Sequence, residues 1–218
     1  MTFKIVNDTK LFNKWPARIY DFSNHPSEQT AFEVMDSMHV HDQPLMGNGL
    51  SSFNHPSNEF KILHQPRISR LKEDIEACVN KFKLDFPLGL NQHWMTKTEQ
   101  KLQITNSWFN IMNEGGEVRR HDHPESPISG AFYIKSGNDS PPLYFVHPET
   151  KLTEDLPTIE GTLLLFSGEL VHGTRIKDMK SMGRTVITFN THYDVVATAD
   201  SALYPNYKIR DTYDIIKK

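Results

Sequence analysis

The chain has a single cysteine, Cys78, among its 218 residues. One cysteine excludes an intramolecular disulfide, a CxxC redox site and a thiolate metal cluster. It also favours a reducing, cytoplasmic location. Histidines, by contrast, number eleven. Any transition-metal site must therefore use imidazole and carboxylate ligands, which suit Fe(II), Mn, Ni or Zn.

The sequence also lacks the features of membrane proteins and of nucleic-acid-binding proteins. No apolar run reaches the roughly 18 residues that a membrane-spanning helix needs. Residues 1–15 lack the apolar core of a signal peptide. The formal net charge is −3, and no basic stripe favours nucleic acid or an acidic membrane surface. The expected partner is a small molecule, or a peptide or protein side chain.

No repeat, low-complexity tract or Gly/Ser linker interrupts the sequence, so we predict a single domain over residues 1–218. Its second half contains successive stretches rich in β-branched and aromatic residues, with Gly, Pro, Asn or Asp at their ends. These stretches are 103–112, 129–134, 142–146, 161–168 and 183–193. Five strands without helical patterns between them predict an antiparallel sandwich, jelly roll or barrel.

The first hundred residues are expected to form an α-rich N-terminal part. A short helix is predicted at 27–38, and a clearer one at 65–84. In the second helix the apolar positions recur at the 3–4 spacing of one helical face; they are Ile68, Leu71, Ile75, Cys78 and Phe82. Cys78 is thus predicted to be a core residue. The β core is expected over 101–195, and residues 196–218 form a C-terminal extension.

The sequence RRHDHPES places His121 and His123 one residue apart. In a strand, residues two apart project to the same face, which would bring both imidazoles together. His172, just past the apolar strand in LLLFSGELVHGT, is the best third ligand. Two ligands close in sequence and a distant third are typical of the facial triad of non-haem iron oxygenases. The similar HVH at 39–41 has no strand context or partner and is predicted to lie in a loop.

Further motifs occur in a fixed order around these histidines. They are W-x-N at 108–110, H-x-H-P at 121–124, SG-x-x-Y at 129–133, G-x-L-x-x-F at 161–166, HGT at 172–174, and Arg184. With these motifs, the span 107–190 resembles the 2-oxoglutarate/Fe(II)-dependent oxygenases of the prolyl-hydroxylase-like group. More narrowly, it is similar to uncharacterised bacterial and phage members with H-x-H-P. The resemblance implies a double-stranded β-helix, and the helix at 65–84 fits the segment that precedes its sheet.

The resemblance implies that His121, His123 and His172 bind the metal and are the catalytic residues. In the prolyl-hydroxylase group a glycine stands six residues before the first ligand, and Gly115 has this spacing from His121. His123 then occupies the place of the usual carboxylate. A second set, His123 with Glu125 and His172, stays open. A third imidazole makes the metal unit more positive by one charge, and it would let Zn or Ni compete with Fe(II).

The resemblance also implies a co-substrate pocket. Arg184 follows His172 by twelve residues, the place of the arginine that binds the distal carboxylate of 2-oxoglutarate in this family. An arginine offers that carboxylate a bidentate and permanently charged partner. Two other positions that bind the same carboxylate in this family are matched here by Thr188 and Tyr133. Thr188 lies four residues after Arg184, and Tyr133 lies on the predicted strand that follows the HDH sequence at 121–123.

The activity implied is that of an iron-dependent dioxygenase. It would use dioxygen and 2-oxoglutarate to hydroxylate an unidentified substrate, and it would release succinate and CO₂. The alternative is a jelly-roll metalloenzyme, or a metal-dependent binding module, that does not use 2-oxoglutarate. The exposed edges of such a fold would allow a homodimer.

Overall fold

Two antiparallel sheets form the structure, a computed structural model that describes residues 3–42, 47–57, 61–86, 101–137, 139–175 and 183–193. Its helices and strands are β1 (Ile5–Leu11), β2 (Trp15–Asp21), α1 (Glu28–Asp36), β3 (His41–Asp42), β4 (Gly49–Ser51), α2 (Ser69–Asp85), β5 (Leu102–Met112), β6 (Ile128–Lys135), β7 (Leu143–Val146), β8 (Thr153–Leu156), β9 (Thr162–Ser167), β10 (His172–Thr174) and β11 (Arg184–Tyr193). The large sheet has the order β1-β2-β9-β6-β11-β5-β4-β3, and the small one β10-β7-β8. None of the helices among these residues is long and apolar enough to cross a membrane.

The predicted antiparallel β architecture is confirmed. The five predicted strands correspond to β5, β6, β7, β9 and β11, and the two predicted helices to α1 and α2. The N-terminal part, expected to be α-rich, also contributes four strands, β1 to β4, to the large sheet. The predicted C-terminal extension, 196–218, lies outside the described residues.

The central strands of the large sheet are buried on both faces. On one face α2 packs its apolar stripe, including Leu71, Ile75 and Phe82, against Phe109 and Phe132 of the sheet. Cys78 belongs to this stripe, as predicted, and burial raises the pKa of its thiol to about 12. The opposite face packs against the small sheet, so the space between the two sheets is lined by this second face.

The residues of the second face come from alternate positions of neighbouring strands, because side chains two apart share a face. The apolar members form one core cluster with the small sheet; they include Ala131, Tyr133, Leu143, Phe145, Leu164, Phe166 and Val186. Towards one end of the same face the residues become polar, and His121 and His123 lie at that end.

Gly130 lies where strands β6, β9 and β11 are most closely packed. A Cβ at this position would stand 2.2 Å from Cζ of Phe189 and 2.9 Å from Cδ2 of Leu165. We therefore expect Gly130→Ala to lower the free energy of unfolding by about 1–3 kcal/mol, the usual effect of overpacking. Urea unfolding followed by circular dichroism measures this. Phe189→Leu in the same chain should return part of the loss, and an unchanged midpoint for Gly130→Ala alone would contradict the packing.

Candidate metal and co-substrate site

Three histidines meet at one end of the space between the sheets: His121, His123 and His172. Their ring centroids are 4.5, 4.9 and 5.2 Å apart. One nitrogen from each ring lies within 4.8 Å of those of the other two. In the part of the chain that the structure describes, this is the one group of three or more His, Cys, Asp or Glu side chains placed to hold a metal ion.

The backbone places these rings through an isolated bridge rather than through the strand expected for HDH. His121 and His172 exchange two backbone hydrogen bonds, of 3.0 and 2.8 Å. The N–H of His123 donates to the carbonyl oxygen of Gly168 at 2.7 Å. Gly168 has no room for a side chain, because a Cβ there would lie 2.8 Å from the carbonyl oxygen of His123 and 2.2 Å from that of Ser126. Because the backbone of residues 121–123 is extended and is held by these hydrogen bonds at both ends, the imidazoles of His121 and His123 still project to the same side.

Hydrogen bonds to the backbone fix the tautomers of two of the rings. Nδ1 of His121 lies 2.8 Å from the carbonyl oxygen of Arg119, and Nδ1 of His172 lies 2.7 Å from that of Leu170. A carbonyl can only accept, so each Nδ1 carries the proton and each Nε2 keeps its lone pair. These rings can therefore offer Nε2 to a metal.

Burial keeps the three rings in their neutral form. It lowers the pKa of His172 to about 3, the pKa of His123 well below its ordinary value, and that of His121 in the same direction. Neutral imidazole is the form that binds a metal, because a protonated ring has no free lone pair. The donor set thus fits a divalent transition metal at neutral pH.

Glu125 does not join the group. It is exposed, in the turn that follows His123. The structure thus brings together the three histidines and leaves the alternative carboxylate outside. The second HxH is not placed as a metal site either: the rings of His39 and His55 are stacked 5.1 Å apart, and His41 lies on the short strand β3.

Arg184 is buried on the same face, with 3% of its surface exposed. Its Nη1 donates to the carbonyl oxygen of Pro141 at 3.2 Å, while its Nε, also buried, has no partner among the residues that the structure describes. No carboxylate of the described residues pairs with it, and burial lowers its pKa. The Tyr133 ring lies 5.9 Å from the guanidinium carbon. A buried cation without a counter-ion is costly, so the geometry fits an anionic ligand such as the distal carboxylate of 2-oxoglutarate.

Strand β11 connects the arginine to the histidines. Arg184, Thr188 and Asn190 are separated by even numbers of residues and share the face that looks between the sheets. The six residue steps from Arg184 to Asn190 span about 20 Å of strand. At the far end the amide nitrogen of Asn190 is 3.4 Å from Nδ1 of His123. Tyr133, on β6, pairs with Val186 of β11 and therefore lies beside this row.

Thr188, the third residue predicted for the co-substrate, lies midway along this row. Its hydroxyl accepts from the amide of Asn110 at 3.4 Å and is also 3.4 Å from the carbonyl oxygen of Trp108. Thr188 therefore faces the site, next to an asparagine that can present its amide to the same ligand. The predicted residues Arg184, Tyr133 and Thr188 are thus brought to one face.

Two residues of the site were missed by the sequence analysis. Asn190 contacts His123 across 67 residues of sequence. Ser140 has a buried hydroxyl without a partner, and it precedes Pro141, the residue that accepts from Arg184. Neither belongs to a recognisable motif. Only the pairing of strands β6 and β11, and the course of the chain after β6, place them here.

An aromatic wall stands beside the histidines. The ring of Trp108, on β5, is 6.0 Å from that of His123. The Phe53 ring packs edge-on against Trp108 at 4.8 Å. The rings of Phe145, which pairs with His172 on β7, and of Phe166 on β9 lie 5.9 and 4.8 Å from the ring of His172.

The fold is a double-stranded β-helix, or jelly roll, with three imidazoles at one end of the space between its sheets and a buried arginine lining the same space. Residues 106–190 match the family model described as "Putative 2OG-Fe(II) oxygenase". This segment contains all three histidines and Arg184, so the part of the chain that carries the site is similar to that family, as its motifs predicted. Among curated proteins, none matches the chain in sequence.

Solved structures share the fold. HygX from Streptomyces hygroscopicus, with nickel, 2-oxoglutarate and hygromycin B bound, is 12% identical, with a TM-score of 0.57 over 84% of this chain and 85% of its own. A prolyl hydroxylase from Trichoplax adhaerens, in complex with a hypoxia inducible factor peptide fragment, is 10% identical, with a TM-score of 0.52 over 80% and 82%. A viral collagen prolyl hydroxylase from Paramecium Bursaria Chlorella virus-1, in its 2OG complex, is 12% identical, with a TM-score of 0.52 over 80% and 94%. At these identities the likeness concerns the fold.

Proposed function

We propose that the protein is a non-haem iron, 2-oxoglutarate-dependent dioxygenase that hydroxylates its substrate. The observation that carries the proposal is the buried Arg184, which pairs with no carboxylate of the described residues and lines the same space between the sheets as the three histidines. A metal-binding module alone would need the histidines but not a buried cation. A site for a dicarboxylate chelated at one end and ion-paired at the other needs both.

In the proposed site His121, His123 and His172 bind Fe(II). Bound Fe(II) supplies the oxidative chemistry: one atom of dioxygen enters the substrate as a hydroxyl, and the other enters the succinate formed as 2-oxoglutarate loses CO₂. The histidines serve this chemistry by staying neutral. Their tautomers are fixed by the backbone for His121 and His172, so little reorganisation is needed when the metal binds.

Arg184 binds the distal carboxylate of 2-oxoglutarate. Its guanidinium already donates through Nη1 to Pro141, which fixes the plane of the group, and its Nε is left to donate to the ligand. The hydroxyl groups of Tyr133, Thr188 and Ser140 are the further donors of the pocket. Because this pocket is buried and contains a cation, it should favour a dianion over neutral compounds of similar size.

The substrate is proposed to approach along the aromatic wall of Trp108 and Phe53, next to His123. Two of the structures named above contain hygromycin B and a peptide fragment, respectively. We propose a substrate of one of these two classes, a small molecule or a peptide or protein side chain. A cytoplasmic location and a homodimer stay predictions from the sequence.

The test is anaerobic addition of Fe(II) and 2-oxoglutarate to the metal-free protein. We expect a visible charge-transfer band when 2-oxoglutarate chelates the bound metal, and slow formation of succinate once oxygen is admitted. His172→Ala is the control and should show neither. A folded protein that binds Fe(II) but gives no band with 2-oxoglutarate would contradict the proposal, and it would favour the jelly-roll metalloenzyme or binding module that does not use 2-oxoglutarate.

A further inference from the structure

We propose that Asn190 is a positioning residue of the metal site: its amide, held by Ser129, sets the tautomer and ring orientation of His123. The inference rests on the proposed function only in taking His123 as a metal ligand. The three histidines differ in what their Nδ1 atoms contact.

His121 and His172 each bond Nδ1 to the carbonyl oxygen of the residue two positions earlier in the chain. His123 is held differently. Its Nδ1 faces a side chain from another strand, Asn190 of β11, at 3.4 Å. Its own backbone carbonyl is engaged by the turn that follows. Thus one ring of the three depends on a side chain for the partner of its second nitrogen.

Asn190 is itself held in place. It pairs with Ser129 across β11 and β6, and the Ser129 hydroxyl donates to its amide oxygen at 2.9 Å. Ser129 is buried and Asn190 partly so. A chain of hydrogen bonds therefore leads from the sheet to the group of three histidines, through Ser129, Asn190 and His123.

The orientation of the amide decides which nitrogen of His123 is free. With the amide nitrogen towards Nδ1, the ring must accept there and carry its proton on Nε2, which leaves Nε2 unable to bind a metal. Rotating the amide by 180° brings its oxygen to Nδ1–H and frees the lone pair of Nε2. Ser129 supports both orientations, because a hydroxyl can accept from the amide nitrogen as well as donate to the oxygen.

This arrangement suits an imidazole in the place of a carboxylate. A carboxylate presents lone pairs in every protonation state that binds a metal, whereas an imidazole does so only when its other nitrogen holds the proton. Metal-binding histidines are oriented by an acceptor on that second nitrogen, and losing it typically costs about 10–100-fold in metal affinity. Asn190 is the group in reach that can provide this acceptor for His123.

The experiment is Co(II) binding to the full chain, measured by competition with a chromogenic chelator and by the visible spectrum of bound Co(II). We expect Asn190→Ala to weaken Co(II) binding by about 10–100-fold and to alter the spectrum. Asn190→Asp keeps an acceptor oxygen, and it should bind Co(II) at least as tightly as the parent. The matched control is Asn106→Ala, because Asn106 pairs with Asn190 on the neighbouring strand β5 and makes no hydrogen bond to the three histidines.

Equal affinity of Asn190→Ala and the parent would overturn the inference. Equal losses in Asn190→Ala and Asn106→Ala would also overturn it, since a general loosening of the sheet would then be the cause. Thermal unfolding of the metal-free variants separates the two effects. If the parent binds no Co(II), the proposed metal site fails instead; if the parent binds and only the Asn190 pattern is absent, the proposed function stands and this inference falls.

Discussion

Arg184→Met should reduce 2-oxoglutarate binding by at least about 100-fold, while the ligand-free protein stays as stable as the parent or becomes more stable. Removing one partner of a buried charge pair costs about 2–5 kcal/mol of binding. Without the ligand, however, Arg184 is a desolvated cation with one hydrogen bond and no carboxylate partner among the described residues. An unbranched apolar side chain removes that penalty and fills much of the same volume.

Calorimetric titration of the Mn(II)-loaded, anaerobic protein with 2-oxoglutarate measures the first effect, and urea unfolding of the chelator-treated protein measures the second. Arg175→Met is the matched control. Arg175 is an exposed arginine close in sequence to His172 and already bonds to Asp155 at 2.7 and 2.8 Å, so its removal should leave 2-oxoglutarate affinity unchanged. Parent-like affinity in Arg184→Met would show that the anion binds elsewhere.

His121→Ala should weaken metal binding by more than about 100-fold, the largest loss that is typical when a group that orients a metal ligand is removed. Glu125→Gln should leave the metal affinity unchanged. The two candidate ligand sets share His123 and His172, so these two substitutions discriminate between them. The structure places His121 in the group and Glu125 in solvent. Competition for Co(II) against a chromogenic chelator gives both affinities on one scale.

The reverse result, with Glu125→Gln losing the metal and His121→Ala retaining it, would move the arm to the carboxylate set. That set would require the turn after His123 to rearrange, because Glu125 is exposed and lies outside the group of three rings. Circular dichroism of both variants guards against a loss caused by unfolding. His121 contributes its backbone to the bridge with His172, and an alanine keeps those two hydrogen bonds.

Much of the fold was predictable because its central strands are buried on both faces. Strands such as β9, whose six residues are all buried, leave a dense run of apolar residues in the sequence. The hairpin of β1 and β2 was not predicted. Most of β1 is exposed and polar, so its alternation carries no apolar signal, and β2 contains a proline and a buried arginine. Arg18 reaches Asp8 and Asp85, partners that only the folded chain brings near.

The site was predictable to different depths. The two histidines of HDH share one side because extended backbone alternates, whether it belongs to a strand or to a single bridge. Arg184 came from the resemblance to known oxygenases, and its isolation from carboxylates could not be read from sequence. Asn190 and Ser129 pair across strands 61 residues apart in sequence. No local rule links such positions, because their contact depends on the register of the whole sheet.

The bridge between His121 and His172 also bears on when the metal can bind. These two residues are 51 positions apart, and the intervening chain includes β6 to β9. Closing a loop of that length costs conformational entropy. The packing of the two sheets must offset this cost before the rings of His121 and His172 become adjacent. Metal binding at the proposed site would then be a late event in folding, unlike in proteins whose ligands lie within one hairpin. A refolding chain should acquire native sheet content at the same rate with or without metal, and the ion should mainly slow unfolding.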